Sequence, residues 1–272
     1  MPCPSWASIR TIKRSDHTAL GDRRVRCQDC QRTFNERTGT VFNHLQYPTD
    51  VVCLVVLWRH RYKLSLRDLA EMFLQRGLVF THEAVRDWER KLAPLLSETL
   101  RRRRHGTVGA SWYVDETYVR VDGRWQYLYR AIDRDGNLVD VCLSDTRDLA
   151  AAEAFFRAAQ MGTGVTPHRI TTDGHDAYPR AIRHVFGDHV EHRTNRDLNN
   201  HLEQDHRGIK QRYRPMGGFT HGTTAARFCR LFDEVRAFLR PQSHRNQSLS
   251  LKQRRAIHRD RFAQLMGLMA TV

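Results

Sequence analysis

From Thr49 to Leu100 apolar side chains recur every three or four positions, as in Leu54, Leu57 and Trp58 and then Leu64, Leu66, Leu69, Met72 and Phe73. That spacing predicts several short helices. Within it, SLRDLAEMFLQRGLVFTHEAVRDWERKLAP has the form of a helix-turn-helix: Ser65 caps a first helix, Gly77 ends it, and Thr81 caps a second that carries Arg86, Trp88, Arg90 and Lys91. The run RRRRH at 101–105, followed by Gly106, reads as a basic linker. Beyond Gly109 the period changes to two. SWYVDETYVR alternates, Asp122-Gly123 signals a tight hairpin, and RWQYLYRAI returns as a second strand. NLVDVCLS supplies a third strand. A helix (DLAAAEAFFRAAQ), a short strand (HRITTD), a helix (AYPRAIRHVF), a strand (HVEHR) and a helix (NNHLEQDHRGIKQR) follow.

Written as a string, the second half of the chain is βββαβαβα. Three antiparallel strands followed by alternating units describe an α/β, ribonuclease H-like mixed sheet with helices on both faces. A last amphipathic helix, roughly 224–240, sets Ala225, Phe228, Leu231, Phe232, Val235 and Phe238 against a polar face of Arg227, Arg230 and Glu234, and Pro241 stops it. The expected organisation is a short zinc-ribbon-like segment at 1–48, a helix-turn-helix DNA-binding domain with a basic linker at 49–105, a catalytic domain at 106–241, and a basic, weakly helical tail at 242–272 that the sequence leaves open as either a solvated extension or a further DNA contact.

Charge adds a partner. Lys and Arg number 45 against 30 Asp and Glu, giving a formal net charge of +15. Such an excess points to a polyanion, most simply nucleic acid. The longest apolar run, VVCLVVLW at 51–58, falls short of the ~20 residues a membrane helix needs, and no signal peptide opens the chain, so the expectation is a cytoplasmic protein without a membrane partner. Of six cysteines, the pair Cys27 and Cys30 in RRVRCQDCQRTF reads as one knuckle of a zinc ribbon. With Cys3 it makes three candidate ligands. Trp6 stands where a second thiol of the first knuckle belongs, and His17 is a substitute that the spacing does not demand.

Three carboxylates stand out. Asp115 lies in the middle of an aromatic and β-branched strand, where Asp is disfavoured. Asp173 closes the fourth strand, at the end where open α/β sheets place ligands. Glu203 lies on the helix after the fifth strand. In a ribonuclease H-like sheet these three converge, and such oxygens suit Mg²⁺ or Mn²⁺, two ions of which can clamp an in-line phosphoryl transfer. Alternation along the first strand sets Asp115 and Glu116 on opposite faces, so the two are not expected to serve one site. Asp133, Asp135, Asp176 and Asp205 read as turn formers or surface charges. Arg207 and Lys210, four and seven residues after Glu203, share its helix face and are placed to reach phosphates.

WYVDETYVRVDGRWQYLYRAID, LSDTRD, TTD followed by AYP, VEHR and NNHLEQDHRGIKQRYRPMGGF resemble, in order, the catalytic domain of the insertion-sequence-six family of bacterial DDE transposases. SLRDL and its partner helix resemble that family's helix-turn-helix, and the cysteine knuckle resembles the zinc ribbon of some members. The resemblance implies Asp115, Asp173 and Glu203 as a metal-binding triad followed by Lys210. It also implies 3′-end cleavage and direct strand transfer at element terminal repeats into target DNA, by a homodimer or larger assembly. No covalent protein intermediate is implied, so Tyr113, Tyr118 and Tyr178 are expected to be structural. Two rival readings remain: an inactive DNA-binding regulator of transposition, and a ribonuclease H-like nuclease.

Overall fold

The computed structural model describes residues 1–194, 200–213, 216–242 and 244–271; the side chains at 200–205 lie outside the described set. At the N-terminus β1 (Thr11–His17), β2 (Arg23–Cys27) and β3 (Thr33–Phe34) form a small antiparallel sheet in that order. Cys3, Val25, Cys27 and Phe34 pack as its core.

Three helices follow: α1 (Thr49–Arg61), α2 (Leu66–Leu74) and α3 (His82–Arg103). The caps are those the sequence signals. The Ser65 hydroxyl accepts from the Asp68 backbone N–H while the Asp68 carboxylate accepts from that of Ser65, a reciprocal box that satisfies two orphan donors of α2. Thr81 caps α3 by accepting from the Ala84 N–H, and Gly77 supplies the left-handed residue (φ +76°) that turns the chain between the two helices.

The second half begins with β4 (Ser111–Val121), β5 (Arg124–Asp133) and β6 (Leu138–Ser144), then α4 (Leu149–Thr163), β7 (Arg169–Thr172), α5 (Ala177–Phe186), β8 (Glu191–Thr194), α6 (Asn200–Tyr213), α7 (Gly222–Leu239) and α8 (Leu251–Thr271). The strand order is β6-β5-β4-β7-β8. The first three strands are antiparallel, while β7 and β8 join parallel, which is the ribonuclease H-like arrangement. Asp122 and Gly123 both take positive φ in the β4–β5 hairpin, as a two-residue turn matched to strand twist requires.

Alternation sorts the sheet into two cores. Trp112 and Val114 of β4 pack with Phe155 and Phe156 of α4 and Tyr178 and Ile182 of α5. Val119 and Val121 face the other way, against Ile209 of α6 and Phe228 and Phe232 of α7. The opposite side of α7 presents Leu231, Val235 and Leu239 to a third core shared with α1, α2 and α3. Each such buried side chain contributes about 1.5–3 kcal/mol.

Three expectations change. The basic run at 101–105 is not a linker: it completes the last turn of α3, where Arg101 pairs with Asp140 of β6 at 3.0 Å and Arg104 with Glu234 of α7 at 2.8 Å. Glu234 therefore belongs to the interior rather than to a polar face of α7, and only 2% of its surface is exposed. The C-terminal segment is not a solvated tail, because α8 inserts Leu265 and Met269 into the core of the helical layer.

Candidate active site

The parallel pairing of β4 with β7 covers only Ser111 to Tyr113, and β7 ends at Thr172, whereas β4 runs on to Val121. This leaves a notch in the sheet beside Asp115 and Glu116, with Asp173 on the first residue past β7. Asp115 leans over the edge, where its carboxylate accepts the Glu116 backbone N–H at 2.9 Å. Asp173 is held from two sides, accepting the His175 N–H at 3.1 Å on Oδ1 and the Arg147 guanidinium at 2.9 Å on Oδ2. His206 of α6 closes the third side, its Nδ1 3.8 Å from Asp115 Oδ2.

The notch also admits Glu116, which corrects the expectation that strand alternation keeps it from Asp115. One ligand oxygen from each of Asp115, Glu116 and Asp173 lies within 4.8 Å of the others. Alternation does send the two side chains to opposite faces, but on an unpaired strand edge both can curl into the same gap. Glu116 is engaged there by Arg147 and by the Tyr178 hydroxyl, which donates to it. Buried Tyr178 is thereby occupied, and burial beside Glu116 raises its pKa well above the ordinary phenol value, which suits a structural role better than a nucleophilic one. Arg147, which bridges Glu116 and Asp173, was missed by sequence reasoning. Its signal was the LSDTRD segment, where it immediately precedes Asp148, the N-cap of α4.

Burial, with the negative charges of Glu116 and Asp173, pushes the Asp115 carboxyl up to about 7. A carboxylate in the unfolded chain titrates near 3.9, so between about pH 4 and pH 7 the folded chain keeps a proton that the unfolded chain has released. The contribution of this carboxyl to stability therefore falls as pH rises through that window. In EDTA, Asp115→Asn is expected to match wild type near pH 4 and to exceed it by about 2–4 kcal/mol at pH 8 in urea unfolding. An equal gap at both pH values would refute this origin of the strain. The same excess of negative charge fits a divalent cation, whose oxygen ligands would be Asp115 and Asp173, with Glu116 adjacent.

Glu203, the third expected ligand, lies on α6 three positions before His206, and its side chain lies outside the described residues, as does that of Asp205. Arg207 is exposed and Lys210 half-buried on the same helix. Arg86 and Arg90 lie on the exposed side of α3, paired with Glu83 at 2.5 Å and Asp87 at 2.6 Å. At the other end of the chain Cys3, Cys27 and Cys30 converge, with Cys3 Sγ and Cys30 Sγ 3.6 Å apart. Trp6 is exposed, and His17 pairs with Arg23 at the far end of the β1–β2 ladder from Cys27, so neither joins the thiols. Three thiolates could hold zinc with one coordination position left over.

Residues 109–242 match a family model described as a DDE domain. The chain is 35% identical over 175 residues to the transposase for insertion sequence-like element IS431mec of Staphylococcus aureus, an alignment spanning 63% of this chain and 77% of that protein. The chain belongs to the insertion-sequence-six family of DDE transposases. The transposase for insertion sequence element IS257 in transposon Tn4003, also from Staphylococcus aureus, matches this transposase over 175 residues at 35% identity, again covering 63% of the chain and 77% of the relative. Among solved structures, the magnesium-bound catalytic core domain of HTLV-2 integrase in its dimeric form overlaps with a TM-score of 0.38 and 18% identity, covering 57% of the transposase and 99% of the viral chain. A simian T-cell lymphotropic virus intasome in complex with a PP2A regulatory subunit gives 0.36 and 16%, covering 57% of this chain and 56% of that one. As a DDE transposase the chain is a polynucleotidyl transferase. No helix among its described residues is long and apolar enough to cross a membrane.

Proposed function

We propose that this transposase uses Asp115, Asp173 and Glu203 to hold divalent cations, Mg²⁺ or Mn²⁺, and cuts the 3′ ends of its element before joining them to target DNA. The observation that carries the reading is the convergence of Asp115 and Asp173 at the sheet notch, where burial and the neighbouring negative charges push the Asp115 carboxyl up to about 7. When bound, the cations would neutralise the scissile phosphate and activate the attacking oxygen. The chain's own residues do the positioning. Arg147 and the His175 N–H fix the two oxygens of Asp173. Glu203, one turn before the histidine that touches Asp115, occupies the helix position from which a third carboxylate would serve the same gap. Arg207 and Lys210 continue along α6 as phosphate contacts, while Arg86 and Arg90 of the helix-turn-helix are assigned to duplex DNA at the terminal repeats. The working assembly is a homodimer or larger, so that two element ends can be paired. The three N-terminal thiolates are assigned a structural zinc.

The test uses labelled duplexes carrying the element's terminal repeats. Site-specific nicking that leaves a 3′-hydroxyl, followed by joining, is expected in Mg²⁺ or Mn²⁺ and absent in EDTA. Binding of the ends without cutting in either metal would favour the inactive regulator, and equal cutting of duplexes lacking the repeats would favour a nuclease.

A further inference from the structure

The register of the central strands sets Arg130 opposite Asp115 and Ile132 opposite Tyr113, so these pairs share a face of the sheet. Arg130 is neutralised by Asp233 of α7 at 2.7 Å. With Ile132 it lines a cavity of about 580 Å³ between the sheet and the ends of α1, α7 and α8. Its walls are cationic: Arg61 from the end of α1, Arg236 and Arg240 from α7, and Arg254, Arg255 and Arg259 from α8. No carboxylate is among the described lining residues.

This concentration of charge has a visible cost. Burial, together with repulsion from Arg61 and Arg236, lowers the pKa of neighbouring Arg212, and burial with repulsion from Arg240 lowers that of Arg261. Asp260 approaches Arg259 at 3.3 Å, but at an exposed position where such a pair contributes little. Like charges gathered in a concave, water-accessible site are relieved by an anion that brings several charges at once. The arrangement of α8 favours an extended one. Its C-terminal half is anchored by Leu265 and Met269 in the helical layer, and its exposed N-terminal half carries arginines across the cavity mouth. From Arg254 to Arg259 the helix rises ~7.5 Å, about two nucleotide steps along one DNA strand at ~3.4 Å each.

We propose that α8 and the end of α7 form a second DNA-backbone site, a cationic trough that holds phosphates of the duplex outside the carboxylate notch. The trough contacts phosphates, not bases, so it adds affinity and alignment without reading sequence. It rests on the DNA-transposing reading above and concerns residues outside the proposed metal triad. The partner class is double-stranded DNA; a small free polyphosphate is the competing source of the same chemistry.

The experiment is a salt titration of full-length protein binding to an end-bearing duplex in EDTA, where no cutting interferes. The variant Arg254→Ala/Arg255→Ala/Arg259→Ala alters exposed side chains and leaves the Leu265 and Met269 anchor in place. Removing one arginine–phosphate ion pair shallows the slope of log K against log salt by about 0.9, so a change of about 2–3 is expected, with affinity at 0.1 M salt reduced at least tenfold. Arg255→Glu alone, as a second variant, is expected to shift the slope in the same direction. An unchanged slope in both variants overturns the proposal. So does weaker binding of inorganic tripolyphosphate with duplex binding intact, which would make the cavity a small-anion site. Asp115→Asn separates the two readings: a variant that still cuts sinks the triad and leaves the trough standing, whereas normal cutting by wild type with unchanged slopes in the arginine variants sinks the trough alone.

Discussion

Asp115→Asn is expected to lower end cleavage and strand transfer in Mg²⁺ at least a thousandfold, while binding to the terminal repeats stays within about threefold of wild type. A thousandfold corresponds to about 4 kcal/mol of lost transition-state stabilisation. The substitution keeps the shape of the side chain and removes the negative charge that faces Asp173 and Glu116 across the notch. Losing that charge withdraws an anionic ligand from the cation while leaving the distant surfaces of α3 and α8 intact. Asp173→Asn is expected to act alike, with one difference. Arg147 would lose one of its two carboxylate partners, so the loop at Asp173 should also become less ordered. Gel-based nicking and joining assays beside an end-binding titration make the distinction. If Asp115→Asn joined ends at wild-type rate, the assignment of the notch as the reacting centre would be wrong.

Glu234→Ala is expected to destabilise the protein by about 3–5 kcal/mol, because it leaves the Arg104 guanidinium buried with its chief partner removed. Arg104 is the C-cap of α3, and its guanidinium donates to both oxygens of Glu234 and to the carbonyls of Leu138 and Val139 on β6. Asp140 remains at 3.7 Å, and its 3.0 Å contact with Arg101 limits how far it can compensate. This knot ties the helical layer to the sheet. Arg104→Met with Glu234→Leu, which removes both charges, should recover most of the loss, since an apolar pair carries no desolvation penalty. Urea unfolding of the two single variants and the double variant tests it. A Glu234→Ala cost below about 1 kcal/mol would show that water reaches the pair and that the ion pair behaves as a surface one.

Most of the element order was legible because it rests on local physics. The Ser65 and Thr81 caps, the Asp122-Gly123 hairpin and the switch of apolar period after Gly109 each act within a few residues, and each appears where the sequence signals it. Asp115 and Asp173 were legible for a related reason: an acid in or at the end of an apolar strand must be compensated by something, and it stands out in one dimension. The basic run at 101–105 misled because a cluster of arginines looks alike whether it faces solvent or buried acids. Its partners, Asp140 and Glu234, lie 39 and 130 residues away in the pairs with Arg101 and Arg104. The packing of the C-terminal segment was not legible because its apolar contacts, Leu265 and Met269, are few and widely spaced among polar residues.

The sequence by itself determined the strands and helices between Thr49 and Pro241, the identity of the acids and the excess of positive charge, since these follow from side-chain chemistry and short-range periodicity. Only the tertiary structure decided that Glu116 and Arg147 share the notch with Asp115 and Asp173, and that six arginines from three helices line one cavity. The reason is geometric. Alternation fixes which face of a strand a side chain leaves, but whether it stays there depends on the neighbouring strand, and β7 stops short. The length of that one strand, set by the packing of the whole sheet, turns two residues expected to point apart into neighbours.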